Sequence, residues 1–148
     1  METLSYIVKN LLVEASGENQ FISIVDDELD LVYLFKEALS TIKGVDVLAF
    51  TDPILALEHF QINHLNYRCV VSDFRMPAMN GAELLDKIKQ INPEVKRVLI
   101  SAFEIEDGIF KNYQCIDKYL QKPILMTELI REVKNIVSSV KVEQQKSY

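Results

Sequence analysis

Phe21-Ile22-Ser23-Ile24-Val25-Asp26-Asp27-Glu28 sets a short, β-branched apolar run directly against three acids. Such a run, too short for a helix and bounded by charge, reads as a strand buried on both faces in a parallel sheet. Residues 28–40 then place Leu31, Leu34, Phe35, Ala38 and Leu39 on one helical face, and Gly44 ends that segment. The strand-then-helix alternation continues downstream. Residues 45–50 form a second strand, and Asp52-Pro53 supplies the capping acid and first-turn proline of a helix running to about Gln61. Cys69-Val70-Val71-Ser72 is a third strand that stops at Asp73. Pro77 and the Asn80-Gly81 pair make 74–80 a loop. A helix over 83–90 faces Leu84, Leu85 and Ile88 inward. A fourth strand covers 97–101, a short and weakly amphipathic helix 104–111, and a fifth strand Tyr119-Leu120, just before Lys122-Pro123. The last helix, about 125–140, buries Leu129, Val133, Ile136 and Val137.

Strands and helices in strict alternation imply an α/β fold, a doubly wound five-stranded parallel sheet with right-handed crossovers and helices on both faces. A chain of 148 residues fits one such domain, over 21–140. Two pieces fall outside the pattern. Residues 1–20 carry Leu4, Ile7, Leu11 and Leu12 at helical spacing, which predicts an extra N-terminal amphipathic helix more suited to packing than to partner capture. Residues 141–148 are polar and are expected to fray.

The net charge of −6 argues against nucleic acid as a partner, since phosphate contacts need concentrated Lys and Arg. Cys69 and Cys115 belong to no C-x-x-C pair and read as free core thiols in a reducing compartment. No basic leader and no apolar run of about 18 to 20 residues is present, so a cytoplasmic protein without a membrane segment is expected.

Ligands of an open α/β sheet bind outside the carboxyl ends of its strands. Asp26 and Asp27 follow the first strand, Asp73 ends the third, Ser101 ends the fourth and Lys122 follows the fifth. A core has no use for that set, and three converging carboxylates repel unless a cation lies among them. Oxygen donors without His or Cys select a hard cation such as Mg²⁺, which keeps waters and phosphate oxygens in its shell. One carboxylate can act as nucleophile toward phosphorus, with lysine and metal offsetting the transition-state charge.

Asp26-Asp27, Asp73 with Met76-Pro77 and Gly81 behind it, Ser101-Ala102 and Lys122-Pro123 together resemble the response-regulator receiver family, across roughly residues 20 to 140. The resemblance implies strand order 2-1-3-4-5 and a signalling receiver rather than an enzyme with a separate substrate. It implies Asp73 as phosphoacceptor, Asp27 as a direct Mg²⁺ ligand, Asp26 as a ligand mainly through water, and the Arg75 backbone carbonyl as a further ligand. Mn²⁺ can substitute. Ser101 becomes the switch hydroxyl, Tyr119 the aromatic whose rotamer follows phosphorylation, and Lys122 the phosphoryl-binding lysine. The donor is then a sensor histidine kinase or a phosphotransfer protein. With no output domain expected after the last helix, the signal passes by protein contact or phosphorelay. The surface expected for that contact, and for homodimers, comprises the 104–111 helix, the fifth strand and the last helix. Arg75 and Phe103 occupy positions that tune phosphoryl lifetime in this family, and two bulky residues there predict slow hydrolysis.

Blander readings exist for single residues. Asp26 and Asp27 alone would cap a helix, Tyr119 alone would be a packing aromatic, and His59 and His64 read as surface histidines. Other classes fail on specific residues. A nucleotide or flavin site would want a Gly-rich loop where Asp-Asp-Glu stands. A hydrolase with an aspartyl-phosphate intermediate resembles its relatives in placing an acid two residues after the nucleophile, where Arg75 stands. A phosphorylation-independent interaction module on the same fold would be favoured by a lost acid or lysine, and none is lost.

Overall fold

The computed structural model describes residues 19–102 and 113–146, with side chains in the last helix described to residue 138. Five strands, β1 (Gln20–Val25), β2 (Val45–Phe50), β3 (Tyr67–Asp73), β4 (Lys96–Ser101) and β5 (Lys118–Gln121), form one sheet in the order β2-β1-β3-β4-β5. Every neighbouring pair is parallel. The helices among the described residues are α1 (Leu29–Leu39), α2 (Pro53–Asn63), α3 (Gly81–Ile91) and α4 (Met126–Lys146), with a 3₁₀ turn at His64–Asn66. The expected helices over 1–20 and 104–111, and Phe103, fall almost wholly outside the described residues.

Alternation along β1 sorts the core into two layers. Phe21 and Val25 pack with Ala56 and Phe60 of α2 and Leu84, Leu85 and Ile88 of α3. Ile22 and Ile24 face the other way, toward Val32, Phe35 and Leu39 of α1 and Leu129 and Val133 of α4. A strand side chain swaps face at each residue, so a two-sided apolar run can serve both layers. Two helix starts carry the caps their sequences offer. Asp52 accepts from Ile54 N at 2.9 Å, and Asn80 accepts from Glu83 N at 2.8 Å while donating to Glu83 Oε1.

Several expectations need correction. The buried line of α1 is Val32–Phe35–Leu39, continued by Ile42, and Leu34 is 53% exposed. Leu34 precedes Phe35 by one residue, about 100° round the helix, so the two cannot share a narrow contact line on a sheet. α4 continues to Lys146, past the end expected at 140 and through most of the tail expected to fray. His59 is not a surface histidine: its ring lies among Phe21, Phe50 and Tyr67, and Nδ1 is 2.7 Å from the Tyr67 hydroxyl. Cys69 and Cys115 are buried free thiols as expected, and burial pushes Cys69 up to about 12, where it stays neutral.

A buried cation went unread. Arg97, at the start of β4, is 5% exposed and donates to the carbonyls of Pro93, Val95 and Cys115. Its guanidinium pairs with Asp117 at 3.3 Å, and the same carboxylate oxygen accepts from Arg97 N at 2.9 Å. Arg97 thus ties the α3–β4 turn and the approach to β5 to the amino end of the sheet, and its burial is offset by a partner for nearly every donor.

Burial of His59 lowers its pKa from the ordinary 6.5 to about 4. The folded value lies below the unfolded one, so the stability tied to the neutral ring is complete above pH 6.5 and is lost as pH falls toward 4. In an NMR titration the His59 ring protons should report a midpoint near 4, and the urea midpoint should drop over that same window. A ring that titrates at its ordinary value would contradict the aromatic setting.

Candidate functional site

Four strand ends meet at one edge of the sheet. Asp26 and Asp27 follow β1, Asp73 closes β3, Ser101 closes β4 and Lys122 follows β5. Hydrogen bonds carry the strand pairing into these residues: Asp26 N donates to Phe50 O at 3.1 Å, Phe74 N to Ile100 O at 3.0 Å, and Lys122 N to Ser101 O at 2.8 Å. The backbone therefore sets the functional side chains side by side before any ligand is considered.

The lysine is the electrostatic centre. Lys122 Nζ lies 2.9 Å from Asp73 Oδ1 and 3.4 Å from Asp26 Oδ2. The other oxygen of Asp26 accepts from Glu28 N at 2.9 Å, so this carboxylate serves both the turn into α1 and the site. The expected capping role is shared in that form, while the cap position of α1 itself is Glu28. Asp26 and Asp73 are buried and Asp27 is exposed, yet one oxygen of each lies within 4.8 Å of the others. Burial pushes the Asp73 carboxyl up; the hydrogen bond from Lys122 pulls it down, and the charges of Asp26 and Asp27 add to the rise. For Lys122, burial lowers the pKa, but the hydrogen bond and charge of Asp73, with Asp26, outweigh it and the net shift is upward. Lys122 is thus kept charged beside the Asp73 carboxyl, one ammonium among three acids.

The loop after Asp73 depends on Gly81. A Cβ placed there would stand 2.0 Å from the Asp73 carbonyl oxygen and 2.8 Å from Leu99 Cδ1. Gly81 N donates to Phe74 O at 2.8 Å, which closes the loop against the strand end. Within it Ala78 takes a left-handed φ of 69°, uncommon for a residue with a side chain and a sign of a tightly determined turn. The hydroxyl of Ser72 donates to Asp73 O at 2.9 Å, fixing the same carbonyl from the strand side.

A cleft of about 330 Å³ opens over these groups, with Asp27, Asp73, Ser101 and Lys122 in its wall and Arg75 and Ala102 at its rim. The expected residues are thus brought together, with Asp26 buried just beneath. Tyr119 stands apart. It pairs in register with Leu99 one layer back from the cleft, and its hydroxyl donates to Tyr113 O at 3.4 Å. Glu28 and Phe74 also line the cleft and had no role in the sequence reading; the acidic run Asp26-Asp27-Glu28 was the available signal for the first.

The family described as response regulator receiver domain matches residues 22–134. The DNA-binding transcriptional regulator NtrC of Escherichia coli K12 is 29% identical over 124 residues, covering 82% of this chain and 26% of that protein. The transcriptional regulatory protein CpxR homolog of Haemophilus influenzae is 30% identical over 114 residues, covering 77% of this chain and 48% of its own. This chain therefore spans about a quarter of NtrC and half of the CpxR homolog. Among solved structures, the receiver domain of Francisella response regulator 1452 matches with a TM-score of 0.69 and 29% identity, over 82% of this chain and 98% of that one. A receiver domain protein from Clostridium thermocellum has the same fold, with a TM-score of 0.74 at 24% identity over 83% and 98% of the two chains.

Gly81→Ala should move the Asp73 carbonyl or fail to pack, since a methyl cannot stand 2.0 Å from a backbone oxygen. The expected loss is about 1–3 kcal/mol or more, typical of overpacking in a rigid core. Urea unfolding reads it, and an unchanged midpoint would show that the loop is looser than described.

Proposed function

The chain belongs to the response regulator receiver domain family, and from that membership we propose that it accepts a phosphoryl group on Asp73 in a Mg²⁺-dependent reaction and signals through phosphorylation-dependent protein contact. The observation that carries the reading is the position of the Lys122 ammonium, 2.9 Å from the buried Asp73 carboxylate with two further acids beside it.

The donor set fits a hard cation. Every candidate ligand atom is oxygen, and three carboxylates share a space that one ammonium leaves negative. Asp27 and Asp73 would hold Mg²⁺ directly, Asp26 through water, and the Arg75 carbonyl would complete the protein's share. When bound, Mg²⁺ supplies charge neutralisation at the phosphoryl oxygens.

The chain's own residues do the rest. Asp73 Oδ attacks the phosphorus of a phosphohistidine, the P–N bond breaks, and its electron pair leaves with the imidazole nitrogen, which takes up a proton. Lys122 moves from its contact with the free carboxylate to a phosphoryl oxygen, so its charge is already in place when the transition state forms. Ser101, buried at the cleft wall, donates to a second oxygen of the product. Phosphorylation replaces a carboxylate with a group carrying further charge and acceptors, which rebalances the lysine and serine contacts. Tyr119, in register with Leu99 two residues before Ser101, would follow that change.

Partner surfaces lie on both sides of the cleft. Leu29, Tyr33 and Leu34 of α1 are each more than half exposed, and Leu125, before α4, is 71% exposed. Apolar side chains flanking a charged cleft suit a protein donor, a kinase or phosphotransfer domain, over a small molecule alone. The output face combines β5, α4 and the 104–111 segment, and is also the face for homodimers. No nucleic-acid role is assigned, and no helix among the described residues is long and apolar enough to cross a membrane.

Incubation with Mg²⁺ and acetyl phosphate should add one phosphoryl group, about 80 Da by intact mass, in wild type and none in Asp73→Ala or without the metal. No adduct together with no Mg²⁺ binding would overturn the reading and favour a phosphorylation-independent interaction module. Once phosphorylated, the Arg75→Ala/Phe103→Ala protein should lose the group several-fold faster than wild type, followed by the decay of the adduct; an equal half-life would remove both residues from any shielding role.

A further inference from the structure

Glu28 lines the phosphoryl cleft, yet the chemistry proposed above gives it no task. It occupies the cap position of α1, but its side chain makes no capping hydrogen bond. Its backbone N–H donates instead to Asp26 Oδ1 at 2.9 Å, so the neighbouring acid closes the turn and leaves the Glu28 carboxylate over. Among the described residues that carboxylate has no ion-pair partner. The ammonium of the cleft, Lys122, is already shared between Asp73 and Asp26.

Glu28 also lines a second cavity. This one, of about 410 Å³, is walled by Leu31, Phe35, Pro123, Ile124 and Met126, and it shares Glu28, Ala102 and Lys122 with the cleft of about 330 Å³. The carboxylate thus stands on the ridge between a charged cleft and an apolar pocket. A charge beside a low-dielectric wall directs its field toward the polar, open side, and such clefts concentrate or exclude ions by sign. Glu28 is exposed while Asp73 is buried, so an entering solute meets the Glu28 charge before it reaches the acceptor.

We propose that Glu28 is a donor-selectivity residue, whose charge at the cleft mouth slows the entry of free anionic phosphodonors in proportion to their charge. This role presupposes the phosphoacceptor reading of Asp73 and adds to it the class of donor the site prefers. A protein donor can offset the repulsion through apolar contact with the exposed Leu29, next to Glu28, and with Leu125. A free donor has no such contact to make. The size of the effect follows from the size of the cleft. A volume of about 330 Å³ is about 7 Å across, and a unit charge at that distance in water changes the local concentration of a monovalent ion about two- to threefold at low salt. For a dianion the factor is squared. The same charge attracts Mg²⁺, so its removal weakens the metal while it admits the donor.

The full chain is phosphorylated near neutral pH, with Mg²⁺ saturating for each variant, using two free donors. Acetyl phosphate is a dianion and phosphoramidate carries one net negative charge. Intact mass gives each rate. Glu28→Gln should raise the phosphoramidate rate about two- to threefold and the acetyl phosphate rate about four- to ninefold, and Glu28→Lys should raise the ratio of the two further. Both gains should vanish in about 1 M salt, where the screening length falls to about 3 Å. Mg²⁺ affinity, titrated by NMR on the unphosphorylated protein, should fall from wild type to Glu28→Gln to Glu28→Lys. The proposal is overturned if both donors change by the same factor, if neither rate changes in either variant, or if the gain persists at high salt. Failure of the phosphoacceptor reading has a different signature: wild type itself gains no phosphoryl group from either donor, and the selectivity role falls with it.

Discussion

One ammonium group shared between two carboxylates organises this molecule. Lys122 reaches Asp73 and Asp26 at once, 2.9 and 3.4 Å away, while Asp27 stands close by without a contact to it. A buried ion pair is not by itself stabilising, because desolvation offsets the attraction. Here the balance is worse than for a simple pair, since one cation faces three acids. The fold endures this by fixing each acid through the backbone. Asp26 is held by Glu28 N, and the Asp73 main chain is held by Ser72 Oγ and by Gly81 closing over it. The proposed function builds on that imbalance: a rigid site with more acids than cations would draw a divalent cation and then an electrophilic phosphorus.

Much of this was legible in the sequence, for a definite reason. Buried parallel strands read as uninterrupted apolar runs, and the residue that ends each run is the residue at the sheet edge. Finding Asp26-Asp27, Asp73, Ser101 and Lys122 at four run ends was therefore already a statement about space. The strand over 45–50 coincides with β2, and the others differ at their ends by one or two residues, where pairing rather than propensity decides. The strand order follows the resemblance and is what the sheet has.

What could not be read depends on long-range packing. Periodicity gives α1 two plausible apolar lines, because Leu31, Val32, Leu34, Phe35 and Leu39 spread over about 160° of its circumference, and only the sheet beneath chooses Val32–Phe35–Leu39. His59 looks polar in a sequence, yet Phe21, Phe50 and Tyr67 come from three strands to enclose it. Arg97 looks like a strand-start charge. Its burial makes sense only when carbonyls from Pro93, Val95 and Cys115 converge on it, and no local pattern announces that. The left-handed turn at Ala78 is equally silent, since alanine carries no signal for positive φ.

The two ends of β4 and β5 are tied by different means, and the difference bears on how a signal would travel. At the amino end, Arg97 and Asp117 exchange a backbone pairing and an ion pair, so the start of β5 is fixed to the start of β4. At the carboxyl end the pairing runs on past Ser101 and Gln121 to a bond from Lys122 N to Ser101 O, between the two residues that would contact the phosphoryl group. If Ser101 moved toward that group, the bond would carry the Lys122 backbone with it, while Arg97 and Asp117 hold the far end. β5 is only four residues long, so displacement at one end against a fixed other end is a pivot rather than a slide. Tyr119 lies in the middle of that lever, with its ring in the α3 layer and its hydroxyl on Tyr113 O. On the proposed function, the Arg97–Asp117 tie would hold one end of β5 while the residues at the other end answer to the phosphoryl group.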